Sequence, residues 1–151
     1  MKIRYSRRRA MWYLVALLSA LAPLSLALGQ NQPEETRSNG KASISITGVP
    51  HAGEGGPGSK EPISGKVTGV ECNKHKVVVY VLAGGTWWVQ PTVASPFTDI
   101  DDNGKWETDT HLGSTYAALL VKPSFKALPT TDALPSAHGD VVAVVRVAGT
   151  K

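Results

Sequence analysis

The chain has 151 residues, with 16 Lys and Arg against 12 Asp and Glu, and a formal net charge of +4. Five of the basic residues lie within the first nine positions, so the chain after residue 29 carries 11 basic and 12 acidic side chains. This balance excludes a nucleic-acid-binding domain, because phosphate contacts need clustered Lys and Arg. The single cysteine, Cys72, excludes an intramolecular disulfide and a thiolate zinc site within one chain, and we expect it to be half-buried in a loop.

The first predicted element is an N-terminal targeting segment. The basic residues precede an apolar run over residues 10–28, and small residues stand at its end. This pattern predicts a secretory signal peptide over residues 1–29, with a mature chain that begins near Gln30. The alternatives are a twin-arginine signal and an uncleaved membrane anchor, although a run of about 19 residues interrupted by Pro23 is short for a spanning helix. We therefore expect an exported protein (periplasm, cell surface or extracellular) with no membrane segment in its mature form.

A linker and then a folded domain are predicted after the signal peptide. Residues 30–41 are polar and have no apolar side chains to bury, which predicts a disordered linker. The domain is predicted over residues 42–149. Apolar and polar residues alternate with a period of two at residues 42–47 and 63–68, which predicts the first two strands. The glycine- and proline-rich residues 51–61 are expected to connect these strands as a loop.

The domain is organised around a predicted hairpin over residues 76–91. The β-branched and aromatic run at residues 77–81 predicts a central strand that is covered on both faces. Gly84 and Gly85 follow, and they supply the positive φ that a tight hairpin turn needs.

Two adjacent tryptophans, Trp87 and Trp88, lie in the second strand of this hairpin. Neighbouring side chains of a strand point to opposite faces, so the two indoles cannot both enter one core. Trp87 shares a face with Val89, and Trp88 shares the other face with Gln90. We predict that Trp87 is buried and that Trp88 lies on the wetter face.

The C-terminal part of the domain alternates between predicted strands and irregular connections. Residues 91–97 contain two prolines, so they are expected to cross between sheets or to form an edge. The Asp-Asp-Asn-Gly sequence at residues 101–104 predicts a hairpin turn, after which Trp106 faces the core. Further strands are predicted over residues 105–108, 116–121 and 141–147, with a long connection over residues 125–139.

These elements predict an all-β fold. No segment after the signal peptide keeps a helical period over three turns. About seven short strands joined by Gly, Pro, Asn and Asp turns are typical of a two-sheet sandwich. The predicted architecture is a single immunoglobulin-like β-sandwich of about seven antiparallel strands, preceded by a signal peptide and a short disordered linker.

The motifs GxVxG, KVxVYV, WWxxP and DxxGxW occur in four segments of the domain. Together they resemble a carbohydrate-binding-like β-sandwich module of exported bacterial proteins, in which Lys stands at the position that Gln90 occupies. The resemblance implies a β-sandwich that binds carbohydrate and accompanies glycoside hydrolases, here without an attached catalytic domain. The matching segments are residues 65–69, 76–81, 87–91 and 101–106.

The candidate ligand-binding residues are aromatic and polar side chains around the hairpin. Sugar-binding modules use exposed aromatic faces because the C–H groups of a pyranose ring pack against a π surface. We therefore expect a non-catalytic binding module whose partner is a polysaccharide or a cell-surface protein. The alternative is a structural or protein–protein interaction domain, since an exposed tryptophan also marks protein contacts. The candidate residues are Trp88, Gln90, Trp87, Tyr80 and Tyr116.

A calcium site is the one metal site that the sequence suggests. Asp99, Asp101, Asn103 and Gly104 match the opening of a calcium loop, D-x-D-x-N-G, although Thr110 stands at the twelfth position, where Glu is expected. A hairpin turn explains the same residues without metal. The four histidines fall in four separate predicted loops, and no G-x-S-x-G motif occurs. The acidic residues cluster in one turn and in the linker, so no enzyme activity and no other cofactor are expected.

Overall fold

The computed structural model describes residues 41–151, so the predicted signal peptide and nearly all of the predicted linker lie outside the described residues. Strands dominate this part of the chain, together with a short 3-10 helix at Cys72–Lys74. Within residues 41–151, no helix is long and apolar enough to cross a bilayer. The strands are β1 (Ser43–Gly48), β2 (Lys60–Thr68), β3 (Lys76–Ala83), β4 (Thr86–Gln90), β5 (Lys105–His111), β6 (Thr115–Val121), β7 (Thr130–Thr131) and β8 (Val141–Ala148).

The strands form two antiparallel sheets. One sheet has three strands in the order β1-β2-β5, and the other has five in the order β7-β4-β3-β6-β8. The prediction of an all-β, two-sheet fold is confirmed. Seven strands correspond to the seven predicted ones, whereas β7, only two residues long, lies within the predicted irregular connection and was missed.

The main core lies between the two sheets. It contains Val77, Val79 and Val81 of β3, which are almost completely buried, together with side chains from β2, β5 and β6. Trp106 belongs to this core, as predicted, and packs over Gly65 of β2. A Cβ at Gly65 would lie 2.5 Å from the Trp106 ring, so the missing side chain makes room for the indole.

A second core covers the outer face of the five-stranded sheet. Val78 and Tyr80 of β3 pack there with Trp87 and Val89 of β4, and Leu134 of the β6–β8 connection closes over them. The central strand is therefore covered on both faces, as predicted. The second cover is the connection itself, which the sequence predicted only as an irregular loop.

The two predicted hairpin turns differ in outcome. Gly84 and Gly85 join β3 to β4 with φ values of 61° and 82°, which confirms the tight turn. The turn at residues 101–104 also forms, since the Gly104 N–H donates to the Asp101 carbonyl at 2.9 Å. The Asp101 N–H also donates to the Lys105 carbonyl at 2.8 Å, so the predicted turn is present, but the residues before it form no strand beside β5 and the turn does not join two paired strands. Instead Thr98 bridges to β3, and the segment crosses from the five-stranded sheet to the three-stranded sheet, as its prolines predicted.

Candidate functional site

The two adjacent tryptophans have opposite environments. Trp87 is 7% exposed and Trp88 is 48% exposed, which confirms the predicted divergence. Trp87 lies in the outer core, where the Arg146 guanidinium carbon is 5.8 Å from the centre of its ring. At this distance the cation is within the range of a cation–π interaction. Trp87 is therefore a structural residue.

Trp88 is exposed because the two sheets differ in width. It pairs in register with Val81, a residue of the core between the sheets, so both side chains lie on the inner face of the five-stranded sheet. The opposing sheet has only three strands and ends at β5, so it does not fully cover β4. The Trp88 indole N–H donates to the Ala83 carbonyl at 3.2 Å, which holds the ring and satisfies its only polar hydrogen.

A groove of about 490 Å³ runs along Trp88. Its walls come from β4 and the residues that follow it, from the glycine-rich loop before β2, and from the end of β5. The lining is mainly apolar, and its polar side chains come from Gln90, Thr92 and His111. The apolar wall residues include Pro57, Val89, Pro91, Val93 and Leu112.

Gln90 shares a face with Trp88, as predicted, but the expectation that this face is wet at Gln90 is wrong, since Gln90 is buried. Gln90 pairs in register with Val79 and so lies deeper in the core than Trp88 does. Its Oε1 accepts hydrogen bonds from the His111 backbone N–H at 3.0 Å and from His111 Nδ1 at 2.9 Å. Its Nε2 donates to the Trp88 carbonyl at 3.3 Å. The buried amide therefore ties β4 of one sheet to β5 of the other at the end of the groove.

The prediction that Tyr80 and Tyr116 are ligand-binding residues with exposed aromatic faces is also wrong. Both lie on the inner strands of the five-stranded sheet, and both are buried. The Tyr80 hydroxyl donates to the Leu128 carbonyl at 2.9 Å, and the Tyr116 hydroxyl donates to the His51 carbonyl at 2.5 Å. Burial raises the pKa of both phenols. These tyrosines support the fold and offer no face to a ligand.

The predicted calcium ligands are engaged in other contacts. The Asp99 carboxylate pairs with the Lys76 ammonium group. Asp101 Oδ1 accepts hydrogen bonds from the backbone N–H groups of Asn103 at 2.9 Å and Lys105 at 2.8 Å, which stabilises the turn. In the part of the chain that the structure describes, no group of three or more His, Cys, Asp or Glu side chains could hold a metal ion. The geometry favours the interpretation of residues 101–104 as a backbone turn held by Asp101.

His111 is the site residue that the sequence prediction missed. The predicted strand ended at Thr108, which placed His111 in a loop, but β5 continues to His111 and brings it into the groove. The inward alternation of Trp106, Thr108 and Thr110 was the available signal for the longer strand. Burial, together with the positive charge of Lys60, lowers the pKa of His111, which favours the neutral form of the imidazole.

Comparison with known proteins does not assign the chain to a family. No protein-family model and no curated protein matches the sequence. Three features of this site bear on its function: a half-exposed indole, a mainly apolar groove, and a histidine held by a buried glutamine.

Proposed function

We propose that this domain is a non-catalytic binding module that holds a segment of polysaccharide in the groove along Trp88. The half-exposed indole carries the proposal. Its N–H is already bonded, so the ring offers an apolar π face, and a pyranose ring can pack its C–H groups against such a face. The groove volume falls within the range of roughly 300–1,000 Å³ that is typical of ligand sites.

The composition of the groove supports binding without catalysis. Among the described residues that line it, His111 is the one ionisable side chain, and none is Asp or Glu. Hydrolysis of a glycosidic bond generally requires two carboxyl groups on either side of that bond. A ligand in this groove would therefore be held and not cleaved.

Export and an immunoglobulin-like arrangement are part of the same proposal. The basic and apolar N-terminal pattern supports a cleaved signal peptide. The strand order supports the immunoglobulin-like assignment, since β1, β2 and β5 form one sheet and β4, β3, β6 and β8 are neighbours in the other. Expression of the full chain in a secreting bacterium tests export. Intact mass should give a mature chain that begins near Gln30, and an uncleaved chain would contradict the signal peptide.

Affinity electrophoresis in gels that contain soluble glycans, with pull-down on insoluble ones, tests polysaccharide binding. We expect retardation of the parent domain on at least one glycan and its loss in Trp88→Ala, whereas Trp88→Phe retains part of it. The matched control is Phe97→Ala, because Phe97 is 39% exposed but does not line the groove. If Trp88→Ala runs like the parent on every glycan that retards the parent, the site assignment is wrong.

A protein–protein interaction domain is the second candidate function. Val93, at the groove, is 62% exposed, and with Trp88 it forms an apolar surface of the kind that anchors protein contacts. This alternative predicts no retardation on any glycan. It also predicts that the partner, a protein of the cell envelope, binds the parent domain and the Phe97→Ala variant but does not bind the Trp88→Ala variant.

A further inference from the structure

The orientation of the buried Gln90 amide follows from one backbone contact. The backbone N–H of His111 lies 3.0 Å from one terminal atom of the Gln90 side chain. A backbone N–H can only donate, so that atom must be the amide oxygen. The same oxygen lies 2.9 Å from His111 Nδ1. The position of the backbone therefore determines which atom faces the imidazole.

This oxygen in turn selects the tautomer of His111. An amide oxygen can only accept, so Nδ1 must carry a proton. In a neutral imidazole the other nitrogen, Nε2, is then bare and acts as a hydrogen-bond acceptor. Burial and the Lys60 charge favour this neutral ring, because both lower the pKa of His111. Lys60 also pairs with His111 in register on the neighbouring strand.

The bare nitrogen is available to a ligand. His111 lines the groove, and within residues 41–151 its Nε2 has no hydrogen-bond partner. Nε2 is also not completely buried, because among the described residues Trp106 Nε1 is the one buried side-chain polar atom that lacks a partner. The lining of the groove therefore combines the half-exposed indole of Trp88 with His111, whose Nε2 is unpaired among the described residues and not completely buried.

We propose that Gln90 holds His111 as a neutral hydrogen-bond acceptor in the groove, and that the groove consequently selects an uncharged ligand that presents a hydroxyl or amide N–H donor beside an apolar ring face. His111 contacts the ligand, and Gln90 is a positioning residue. A charged ligand finds no opposite charge among the described residues of the lining. This inference rests on the proposed function and narrows it to neutral glycans with free hydroxyl groups.

The tautomer is measured without any ligand. A long-range proton–nitrogen NMR spectrum of the full domain above the pKa of His111 distinguishes a protonated from a bare ring nitrogen. We expect the bare signal at Nε2 in the parent and in Gln90→Glu, which keeps an acceptor. Gln90→Leu removes the acceptor and should shift the proton towards Nε2. A parent domain with its proton on Nε2 overturns the proposal, whether or not a glycan binds.

The ligand class is measured by affinity electrophoresis on three neutral glycans (hydroxyethyl cellulose, xylan and galactomannan), each beside its O-methylated derivative. His111→Phe keeps a ring but removes the acceptor, so its retention should be about 3- to 10-fold weaker than that of the parent. O-methylation removes hydroxyl donors from the ligand and should weaken retention of the parent similarly. His75→Phe is the control, since its imidazole bonds the Glu71 carbonyl outside the groove.

The outcomes separate this inference from the proposed function. Retention that depends on Trp88 but is unchanged by His111→Phe and by O-methylation overturns the acceptor role and leaves polysaccharide binding in place. Retention on no glycan overturns the neutral-glycan ligand and the proposed function together, while the NMR spectrum still decides the tautomer. Thermal melts of each variant identify loss of folding as the cause of any lost retention.

Discussion

Tyr116 is a buried residue whose hydroxyl makes two hydrogen bonds, and Tyr116→Phe tests their contribution to stability. The side chain is completely buried on β6. Its hydroxyl donates to the His51 carbonyl at 2.5 Å and accepts from the Gly113 N–H at 3.2 Å. Phenylalanine keeps the ring and removes the hydroxyl, so both backbone groups lose their partner. The variant thus isolates the polar term from packing.

The expected loss is about 2 kcal/mol. A buried backbone group without a partner costs about 1–3 kcal/mol. We take the lower part of that range for the His51 carbonyl, because His51 is exposed and water can replace part of the bond. Tyr80→Phe is the matched comparison. Its hydroxyl makes one partly buried bond, to Leu128, so we expect a loss of about 1 kcal/mol.

Thermal unfolding followed by circular dichroism measures both variants. For a domain of this size, about 1 kcal/mol lowers Tm by roughly 4 °C, so we expect decreases of about 8 °C for Tyr116→Phe and about 4 °C for Tyr80→Phe. Urea unfolding should show an unchanged m-value, because the surface exposed on unfolding stays the same. A Tyr116→Phe domain that melts with the parent, or above Tyr80→Phe, would refute the assignment of the buried contact.

Three further predictions concern a close packing contact, a carboxylate and a metal. Gly65→Ala places a Cβ 1.9 Å from a backbone carbonyl oxygen, so urea unfolding should show a loss of stability of about 3 kcal/mol or more. The control is Gly58→Ala, which has open space around the added Cβ and should change stability by less than about 0.5 kcal/mol. The His51 backbone N–H donates to the Glu61 carboxylate and holds the pKa of that carboxyl below its usual value. The ionised carboxylate therefore stabilises the fold at pH values above the usual pKa, and this stabilisation is lost as the pH falls through the lowered pKa. The parent should therefore melt above Glu61→Gln at neutral pH, with a gap that closes in acid; a gap independent of pH contradicts the assignment. EDTA should leave Tm unchanged, because the carboxylates of Asp99 and Asp101 are engaged by Lys76 and by the turn, and a lowered Tm would restore the calcium interpretation.

Much of the architecture was predictable from local patterns. The alternation of apolar and polar residues located the strands, because side chains on a strand alternate between two faces. Gly84 and Gly85 predicted their turn because few other residues adopt positive φ without strain. The same alternation required Trp87 and Trp88 to point to opposite faces of the strand. These features depend on a residue and its near neighbours, so the sequence alone determined them.

Which face of a strand is covered depends on residues far away in the chain, and only the tertiary structure decided it. The β6–β8 connection buries Trp87 on the outer face, while the narrower opposing sheet leaves Trp88 open on the inner face. Tyr80, Tyr116 and Gln90 became buried for the same reason, and Gln90 then met His111 from the other sheet. Alternation in the sequence shows that a strand has two different faces, but the elements that pack against those faces decide which of them is buried. The groove arises from a difference in sheet width, which no single segment encodes.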